Sequence, residues 1–286
     1  MCALVQLTPL DPDYPSRLRY LESPPASLAT SGGSLEAKHA VAVVGSRAAV
    51  PAARDFATAL ARALVAAEAV VVSGGAEGID AAAHRGALEA GGRTWAVAPT
   101  GHGECFPPGH ASLFEAIANG PGAMLWPFAD GYHHRSAFLA RNRVLVALSD
   151  AVVVVQAGMP SGALHAASCA RQLNKPLWVV PAAPWMEEFA GSRHLLEQGA
   201  LPLTSIDALL SSLALNRPPG GQTRAPSFTL SENESIVLRA LSDAPLHLDS
   251  IAVRAERAAH ETAAALLTLA LENVVVEGPP GFFRRR

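Results

Sequence analysis

The stretch that decides the fold runs from a short apolar segment through a glycine turn into a helix. It reads Ala69-Val70-Val71-Val72-Ser73-Gly74-Gly75-Ala76-Glu77-Gly78-Ile79-Asp80. A short run of small and β-branched apolar residues that ends in glycine is typical of a buried strand in a parallel sheet. The glycine turn then predicts a strand-to-helix crossing, which is where open α/β sheets bind ligands.

The same alternation extends on both sides of this stretch. Short β-branched runs alternate with alanine-rich stretches from about residue 41 to residue 203, as in βαβ units around a covered parallel sheet. The predicted strands are residues 40–44, 69–73, 94–98, 123–126, 151–156 and 177–181. A helix is predicted over residues 51–67, because apolar residues recur there at helical spacing after Pro51. The fold class is therefore α/β, with a Rossmann-like, doubly wound and mainly parallel sheet.

The length and the turn-forming residues divide the chain into regions. Its 286 residues suffice for one large and one small domain. Residues 214–227 are rich in proline and glycine and predict a linker between a Rossmann-like domain, 40–213, and a winged-helix domain, 228–286. The winged helix follows from a capping-box signature at Ser231 and Glu234, helical stretches near 249–256 and 259–273, and two closing β-like runs. Residues 1–39, punctuated by prolines, are expected to pack on the outside of the sheet.

Composition excludes several classes of protein. Half of the residues are apolar and 16% are charged, so the chain is not intrinsically disordered, and no apolar run approaches the ~18 residues of a membrane span. The first residues lack the pattern of a secretory signal, which predicts the cytoplasm. Three widely spaced cysteines favour neither a disulfide framework nor a cysteine-based zinc site. The net charge of −3 means that any nucleic-acid site must be a local patch.

Four segments near predicted strand ends combine glycine, hydroxyl or arginine groups. They are Gly45-Ser46-Arg47, the turn from Ser73 to Asp80, Pro160-Ser161-Gly162-Ala163, and Arg141-Asn142-Arg143 on a helical stretch opened by Ser136. Glycine lets a ligand approach the backbone, and an arginine fork grips phosphate. The alternative is that Arg47 is a solvated loop cation and that Arg141 and Arg143 pair with Asp130 or Asp150.

Catalytic motifs are scarce. The sequence has no Gly-x-Ser-x-Gly elbow, His-Glu-x-x-His or Gly-x-x-x-x-Gly-Lys loop. Asp80 and His84, four residues apart, could form an acid–imidazole dyad, although a structural hydrogen bond is favoured because no nucleophile accompanies them. The potential metal ligands His102, Glu104, Cys105 and His110, and the pair His133-His134, fit no zinc spacing and are interpreted first as loop residues. We expect no cofactor and no metal.

The winged-helix segment is acidic. Residues 228–286 contain six arginines and eight acidic residues, a net charge of −2, and the predicted recognition helix opens near His260-Glu261. A carboxylate there repels a phosphate backbone. A protein-contact module is therefore at least as consistent with this segment as a reader of DNA sequence.

Ordered motifs along most of the chain resemble the DNA-processing protein A family (DprA, also called Smf), the recombination mediators of natural transformation. The motifs are Asp13-Tyr14-Pro15, Val43-Val44-Gly45-Ser46-Arg47, Ser73-Gly74-Gly75-Ala76-x-Gly78-Ile79-Asp80-x-x-Ala83-His84, Phe138-x-x-Arg141-Asn142-Arg143, Ser161-Gly162-Ala163-Leu164 and Leu195-Leu196-x-x-Gly199-Ala200. The resemblance implies a domain that binds single-stranded DNA without cleaving it, forms a homodimer and loads the RecA recombinase.

By motif position, the resemblance also implies a set of DNA-binding residues: Gly45, Ser46, Arg47, Gly74, Gly75, Phe138, Arg141, Asn142, Arg143, Ser161 and Gly162. The residue types agree with that ligand, because arginines and helix N-termini bind phosphate and Phe138 offers a stacking face, unless it is a core residue.

The chain departs from the family pattern at several positions. It has Leu125-Trp126-Pro127-Phe128 for Ser-Glu-x-Pro, Val155-Gln156-Ala157 for Val-Glu-Ala, His165-Ala166 for Thr-Ala and Phe106-Pro107 for Tyr-Pro, and it lacks the Gly-Asn near residues 190–194. The loss of two acidic positions argues against carboxylate-driven catalysis. It also allows a diverged paralogue with altered partners.

Two other functions remain open. A Rossmann-type nucleotide-binding or nucleotide-hydrolysing enzyme of the lonely-guy kind would need an acid at the sugar, for which Glu77 and Asp80 are the acids in the glycine turns. A winged-helix regulator with the sheet domain as its sensor would leave Arg141 and Arg143 unexplained. A non-enzymatic binder of single-stranded DNA is the favoured function, because it accounts for Arg47, Arg141 and Arg143 together.

Overall fold

The computed structural model describes residues 4–131, 137–215, 231–242, 244–271, 274–278 and 281–285. The chain divides into two compact units, Met1–Gly221 and Gln222–Arg286. The interpretations of Ser136, of His133-His134, of most of the linker and of the end of the last predicted helix concern residues outside the described ranges. No described helix is long and apolar enough to span a membrane.

The described part of the larger unit is built on a nine-stranded sheet of order β1-β2-β6-β5-β4-β3-β7-β8-β9. The strands are β1 (Leu4–Leu7), β2 (Leu28–Gly32), β3 (Ala40–Val44), β4 (Val70–Ser73), β5 (Thr94–Val97), β6 (Ala123–Trp126), β7 (Ala151–Val154), β8 (Leu177–Val179) and β9 (Leu201–Pro202). From β6 to β9 all neighbours are parallel, and β3, β4 and β7 are fully buried, as their β-branched runs predict.

Helices cover both faces of this sheet. They are α1 (Ser16–Arg19), α2 (Pro51–Ala66), α3 (Ile79–Glu89), α4 (Ala111–Asn119), α5 (Ala137–Ala147), α6 (Gly162–Gln172), α7 (Ala190–Glu197) and α8 (Ile206–Ser212). One apolar core packs α2, α3 and α8 on one face, and another packs α1, α5, α6 and α7 on the opposite face. The predicted α/β, doubly wound class is thus confirmed, with predicted element ends within two residues of those observed.

The order of strands reverses beside β3. The chain proceeds from β3 outward through β4 and β5 to β6, and then returns to place β7 on the other side of β3. Because the loops after β3 and β7 leave the sheet in opposite directions, a crevice opens at the carboxyl ends of these strands. The topology therefore positions the ligand site between the segments that follow Val44 and Val154.

The N-terminal region differs from its prediction. Residues 4–7 and 28–32, expected to pack on the outside of the sheet, are instead part of it: β1 is an edge strand and pairs antiparallel with β2, which in turn pairs antiparallel with β6. The prolines interrupt only the segment between these strands, so both retain their backbone donors for pairing. That intervening segment does pack on the domain, where Tyr14 and Leu18 are buried.

The smaller unit has the winged-helix layout. Its described elements are α9 (Glu232–Ala240), β10 (Leu246–His247), α10 (Leu248–Ala255), α11 (Ala259–Leu271), β11 (Val275–Glu277) and β12 (Phe282–Arg285), with sheet order β10-β12-β11. The capping box predicted at the start of α9 is present: Ser231 Oγ accepts from Glu234 N at 3.2 Å, and Glu234 Oε2 accepts from Ser231 N at 2.7 Å. The short strand β10 was not anticipated, because two residues carry no periodicity.

Candidate nucleic-acid interface

A cavity of about 510 Å³ opens where the strand order reverses. That volume is in the range of small-molecule and nucleotide sites. Three separate loops and α5 form its walls, and the lining includes eight of the predicted residues: Gly45, Ser46, Arg47, Phe138, Arg141, Asn142, Ser161 and Gly162. Residues that lie up to 117 positions apart in the sequence therefore share one surface.

The floor of the cavity holds a buried pair of opposite charges. Arg141 is 6% exposed and its Nη1 donates to Val97 O at 2.6 Å. Asp80, also buried, accepts from Ala76 N at 3.4 Å. Burial raises the pKa of Asp80, and the positive charge of Arg141 acts in the opposite direction. Burial likewise lowers the pKa of the Arg141 guanidinium. Each of the two groups favours the charged form of the other, against the effect of burial.

A glycine makes room for this arginine. A Cβ atom at Gly74 would lie 1.9 Å from Arg141 Nη1, so any other residue there would displace the guanidinium. The Nε atom of Arg141 is buried without a hydrogen-bond partner. Because that atom is enclosed, it does not meet a ligand itself; the part of the Arg141 side chain that lines the cavity is held in place by the bond to Val97 O, and a guanidinium fixed at one end is suited to bind an anionic oxygen.

The outer wall is aromatic and cationic. The Arg47 guanidinium carbon lies 5.3 Å from the ring centroid of Phe138, and the ring of Phe106 meets Phe138 edge-on with centroids 5.3 Å apart. Phe138 is half-buried and lines the cavity, which favours a platform over a core role. Phe106, noted in the sequence only as a departure from the family, proves to support this ring.

The N-terminus of α6 forms the opposite wall. Ser161 caps the helix, with its Oγ accepting from Ala163 N at 3.2 Å, and Asn142 Nδ2 donates to Gly162 O at 3.2 Å. The first turn of α6 therefore borders the cavity, where the helix dipole favours a negative charge. The bond from Asn142 fixes α6 relative to α5.

Three predicted residues do not line the cavity. Gly74 and Gly75 lie behind it, the first against Arg141 and the second against the ring of Phe114. Arg143 Nη2 lies 3.6 Å from Glu22 Oε2. The helix explains this result, since residues 141 and 143 are about 200° apart around an α-helix and cannot face the same side. Their adjacency in sequence conceals that difference.

The alternative partners proposed for these arginines are occupied by other groups. Asp150 Oδ1 pairs with Arg17 at 2.9 Å, and Asp130 Oδ1 lies 2.7 Å from His102 Nδ1. Arg141 faces Asp80 instead of either residue. The interpretation of Arg141 as part of a charged helix face that pairs with Asp130 or Asp150 is therefore wrong.

Asp80 and His84 do not act on each other as a dyad. His84 Nδ1 lies 2.7 Å from Thr94 Oγ1, and that hydroxyl donates to Val71 O at 2.8 Å. Because the Thr94 hydroxyl donates its proton to Val71 O, it can only accept from His84, so His84 Nδ1 carries the proton and donates it. The other ring nitrogen, Nε2, is unprotonated and has no hydrogen-bond partner among the described residues. Burial lowers the pKa of His84 to about 3, which keeps the imidazole neutral.

The potential metal ligands of the loop after β5 have separate partners. His110 Nδ1 lies 2.9 Å from Gly75 O, whereas His102 Nδ1 lies 2.7 Å from Asp130 Oδ1. Within the described ranges, no group of three or more His, Cys, Asp or Glu residues is placed to hold a metal ion. His102, Glu104 and Cys105 instead line a second cavity of about 230 Å³ beside α4.

Gln156 has a role that the sequence did not indicate. It is fully buried; its Oε1 accepts from Val50 N, the N-cap of α2, at 2.9 Å, and its Nε2 donates to Glu188 O at 3.4 Å. A glutamate could accept the first bond but, when ionised, could not donate the second. The Gln156 amide thus provides an acceptor for Val50 N and a donor for Glu188 O.

The fold and the cavity define a class: an α/β protein with an arginine-lined cavity at its topological switch point, joined to a winged-helix unit. Residues 6–214 match the family model of DNA recombination-mediator protein A, and residues 221–281 match the DprA winged helix domain. The chain belongs to the DNA recombination-mediator protein A (DprA/Smf) family.

Relatives and solved structures agree with this assignment. The chain is 32% identical to Protein Smf of Synechocystis, over 98% of this chain and 80% of that protein. It is 34% identical to the DNA processing protein DprA of Streptococcus pneumoniae, over 68% of this chain and 70% of that protein. A structure of DNA processing protein A from Helicobacter pylori, described with its single-stranded DNA binding mode, superposes with a TM-score of 0.67 at 31% identity, covering 74% of this chain and 95% of that one.

Proposed function

We propose that this protein binds single-stranded DNA without cleaving it, in the cavity at the carboxyl ends of β3 and β7. The observation that carries the proposal is the convergence of Arg47, Arg141 and the N-terminus of α6 on one cavity with an aromatic ring in its wall. Phosphate-binding groups beside an aromatic face on which a base can stack are suited to bind a single strand of any base sequence. Family membership and the DNA-binding relative from Helicobacter pylori support the same ligand.

The site residues divide by position within this proposal. Arg47 and Arg141 would contact phosphate, Phe138 would stack on a base, and Gly45, Ser46, Ser161 and Gly162 would let the backbone approach the strand. Asn142 and Gly74 would act by positioning α6 and Arg141. Arg143, on the opposite side of α5, would contribute little.

Fluorescence anisotropy of labelled oligo-dT across a salt series tests this proposal. We expect the strand to bind in preference to mononucleotides and duplex DNA, with log K falling at a slope near −3, as about four neutralised phosphates give. Arg47→Ala should weaken binding about tenfold and reduce the slope by about 0.7. Arg143→Ala is the matched control and should bind like the wild type. Equal binding by wild type and Arg47→Ala would contradict the assignment of the cavity.

A nucleotide-hydrolysing enzyme is the second candidate, because a carboxylate does lie in the cavity. That carboxylate, Asp80, is held by Arg141 and by peptide N–H groups, whereas Glu77 is exposed and does not line the cavity. We therefore infer a non-enzymatic role. Chromatography of mononucleotides incubated with the protein is the check: release of free base, abolished by Asp80→Asn, would favour the enzyme.

We also propose that the protein acts as a homodimer that loads RecA onto the bound strand. Support for this step comes from family membership. Light scattering at increasing protein concentration measures the oligomeric state, and RecA filament formation on protein-coated single strands measures loading. If Arg47→Ala abolishes RecA loading, loading depends on strand binding in the cavity. If the protein binds the strand and has no effect on RecA filament formation, the loading proposal is wrong.

A further inference from the structure

The second cavity, of about 230 Å³, belongs to no part of the proposed DNA site. It lies between α4 and the segment that follows β5, and its walls are mainly apolar, including the side chains of Phe114, Met124 and Trp126. It is smaller than the ~300–1,000 Å³ typical of sites for whole drug-sized ligands. A cavity of this size takes one side chain or a fragment of that size.

Carboxylates stand at the mouth of this apolar cavity. Glu104 and Glu115 both belong to its lining, and Asp130 lies next to it through its contact with His102. Burial raises the pKa of the Cys105 thiol, and the negative charge of Glu115 acts in the same direction. Such surroundings repel a phosphodiester backbone and attract a cation.

An aliphatic or planar stem that ends in a cation complements this arrangement. Lysine and arginine bury their stems along apolar surfaces while their charged heads remain near carboxylates or water. Trp126 and Phe114 add aromatic rings on which a guanidinium can stack. Because the mouth residues Cys105 and Glu115 are exposed, the rest of the occupant must cover them from outside, as a polypeptide does.

We propose that this cavity, here termed the acidic-aromatic pocket, docks an arginine or lysine side chain of a partner protein. Two contacts connect it to the first cavity. The ring of Phe114 packs on Gly75, where an added Cβ would lie 2.7 Å from the ring, and Phe106, next to Cys105, packs on Phe138. A docked partner would thus sit beside the DNA site without occupying it. The inference does not require that the first cavity bind DNA.

The test uses the full-length protein and a dansyl-labelled heptapeptide with one central arginine flanked by leucines. Its counterpart carries citrulline, which has a similar shape but no charge. We expect the arginine peptide to bind at least fivefold more tightly than the citrulline peptide, as a cation beside carboxylates and aromatic rings requires. Glu115→Gln should remove most of this difference, whereas Glu197→Gln, an exposed carboxylate on α7, should leave it unchanged.

Three outcomes would overturn the inference. They are equal binding of the two peptides, an effect of Glu197→Gln as large as that of Glu115→Gln, and displacement of the peptide by oligo-dT, which would assign the pocket to the DNA strand. Fluorine NMR of the protein labelled with 5-fluorotryptophan locates the peptide independently. The signal that disappears in Trp126→Phe, and is therefore assigned to Trp126, should move on addition of the arginine peptide.

Discussion

The two units use their arginines in different ways. In the larger unit, Arg141 is buried and lines a cavity wall. In the smaller unit, Arg285 donates from Nε and Nη2 to Leu238 O, at 3.1 and 2.7 Å, and so ties β12 to α9. The exposed residues of α11 include Glu261, Ala264 and Leu267 and no arginine or lysine. A winged-helix layout therefore does not by itself supply a nucleic-acid site, since function depends on the particular side chains.

The largest expected effect comes from removing the buried cation of the larger unit. Arg141→Ala leaves Asp80 buried without a compensating charge, which costs about 3–5 kcal/mol of unfolding free energy. Binding of oligo-dT should be abolished as well. Urea unfolding and anisotropy measure the two effects.

A double variant separates folding from binding at this position. Arg141→Met combined with Asp80→Asn removes both charges, so stability should recover substantially while binding does not. Recovery of both would show that Arg141 acts only in folding, and would remove the main difference between the units.

Acid should weaken the larger unit selectively. His84 is neutral in the folded state because burial lowers its pKa to about 3, whereas in the unfolded chain its pKa is about 6.5. Between these values the unfolded chain binds more protons, so stability falls as the pH drops below about 6.5, by about 3 kcal/mol at pH 4.5. Thermal melts from pH 7 to 4.5 record the change.

The control for this prediction is His84→Gln, which cannot gain a charge. In this variant, the loss of stability of the larger unit between pH 7 and 4.5 should be smaller by about 3 kcal/mol. An unchanged pH dependence in the variant would assign the acid sensitivity to other groups.

A smaller effect is expected at the cap of α9 in the smaller unit. Ser231→Ala removes the acceptor for Glu234 N and should cost about 1 kcal/mol of the stability of that unit. Circular dichroism should show an earlier transition for this unit, with oligo-dT binding unchanged. Weaker binding by this variant would mean that the smaller unit takes part in holding the strand.

The smallest effect concerns the exposed cations of the smaller unit. A triple variant, Arg239→Ala, Arg254→Ala and Arg284→Ala, should change oligo-dT affinity less than twofold and leave the salt slope unaltered. The salt slope decreases by about 0.7 for each phosphate that a protein no longer neutralises. A slope reduced by about 2 would therefore place DNA on this unit. That result would contradict the division of roles between the two units.

Much of the larger unit could be predicted from local patterns. The central strands follow from β-branched runs that end at glycine, and α2 follows from apolar periodicity after Pro51, since both kinds of element bury one repeating face. The antiparallel strands β1 and β2 could not be predicted in this way. Their partners are β2 and β6, and such pairing over long sequence distances leaves no periodic signal.

The site shows the same division. The glycine turns and arginines that identify the cavity are visible in sequence, because backbone approach and anion binding need those residue types wherever they occur. Sequence could not separate Arg141 from Arg143, since helical rotation decides which side chain faces the cavity. Nor could it show that Asp80 belongs with Arg141, because that pairing joins α3 to α5.

The sequence by itself determined the class of fold, the two-unit organisation suggested by the proline- and glycine-rich segment, and most of the residue types at the cavity. These depend on local chain preferences and on burial patterns that repeat along one element. Only the tertiary structure decided which arginine is buried, what holds it, and that an acidic-aromatic pocket lies beside the first cavity. Those features arise where separate elements meet, and the electrostatic free energy of a charge depends on the groups that surround it in space.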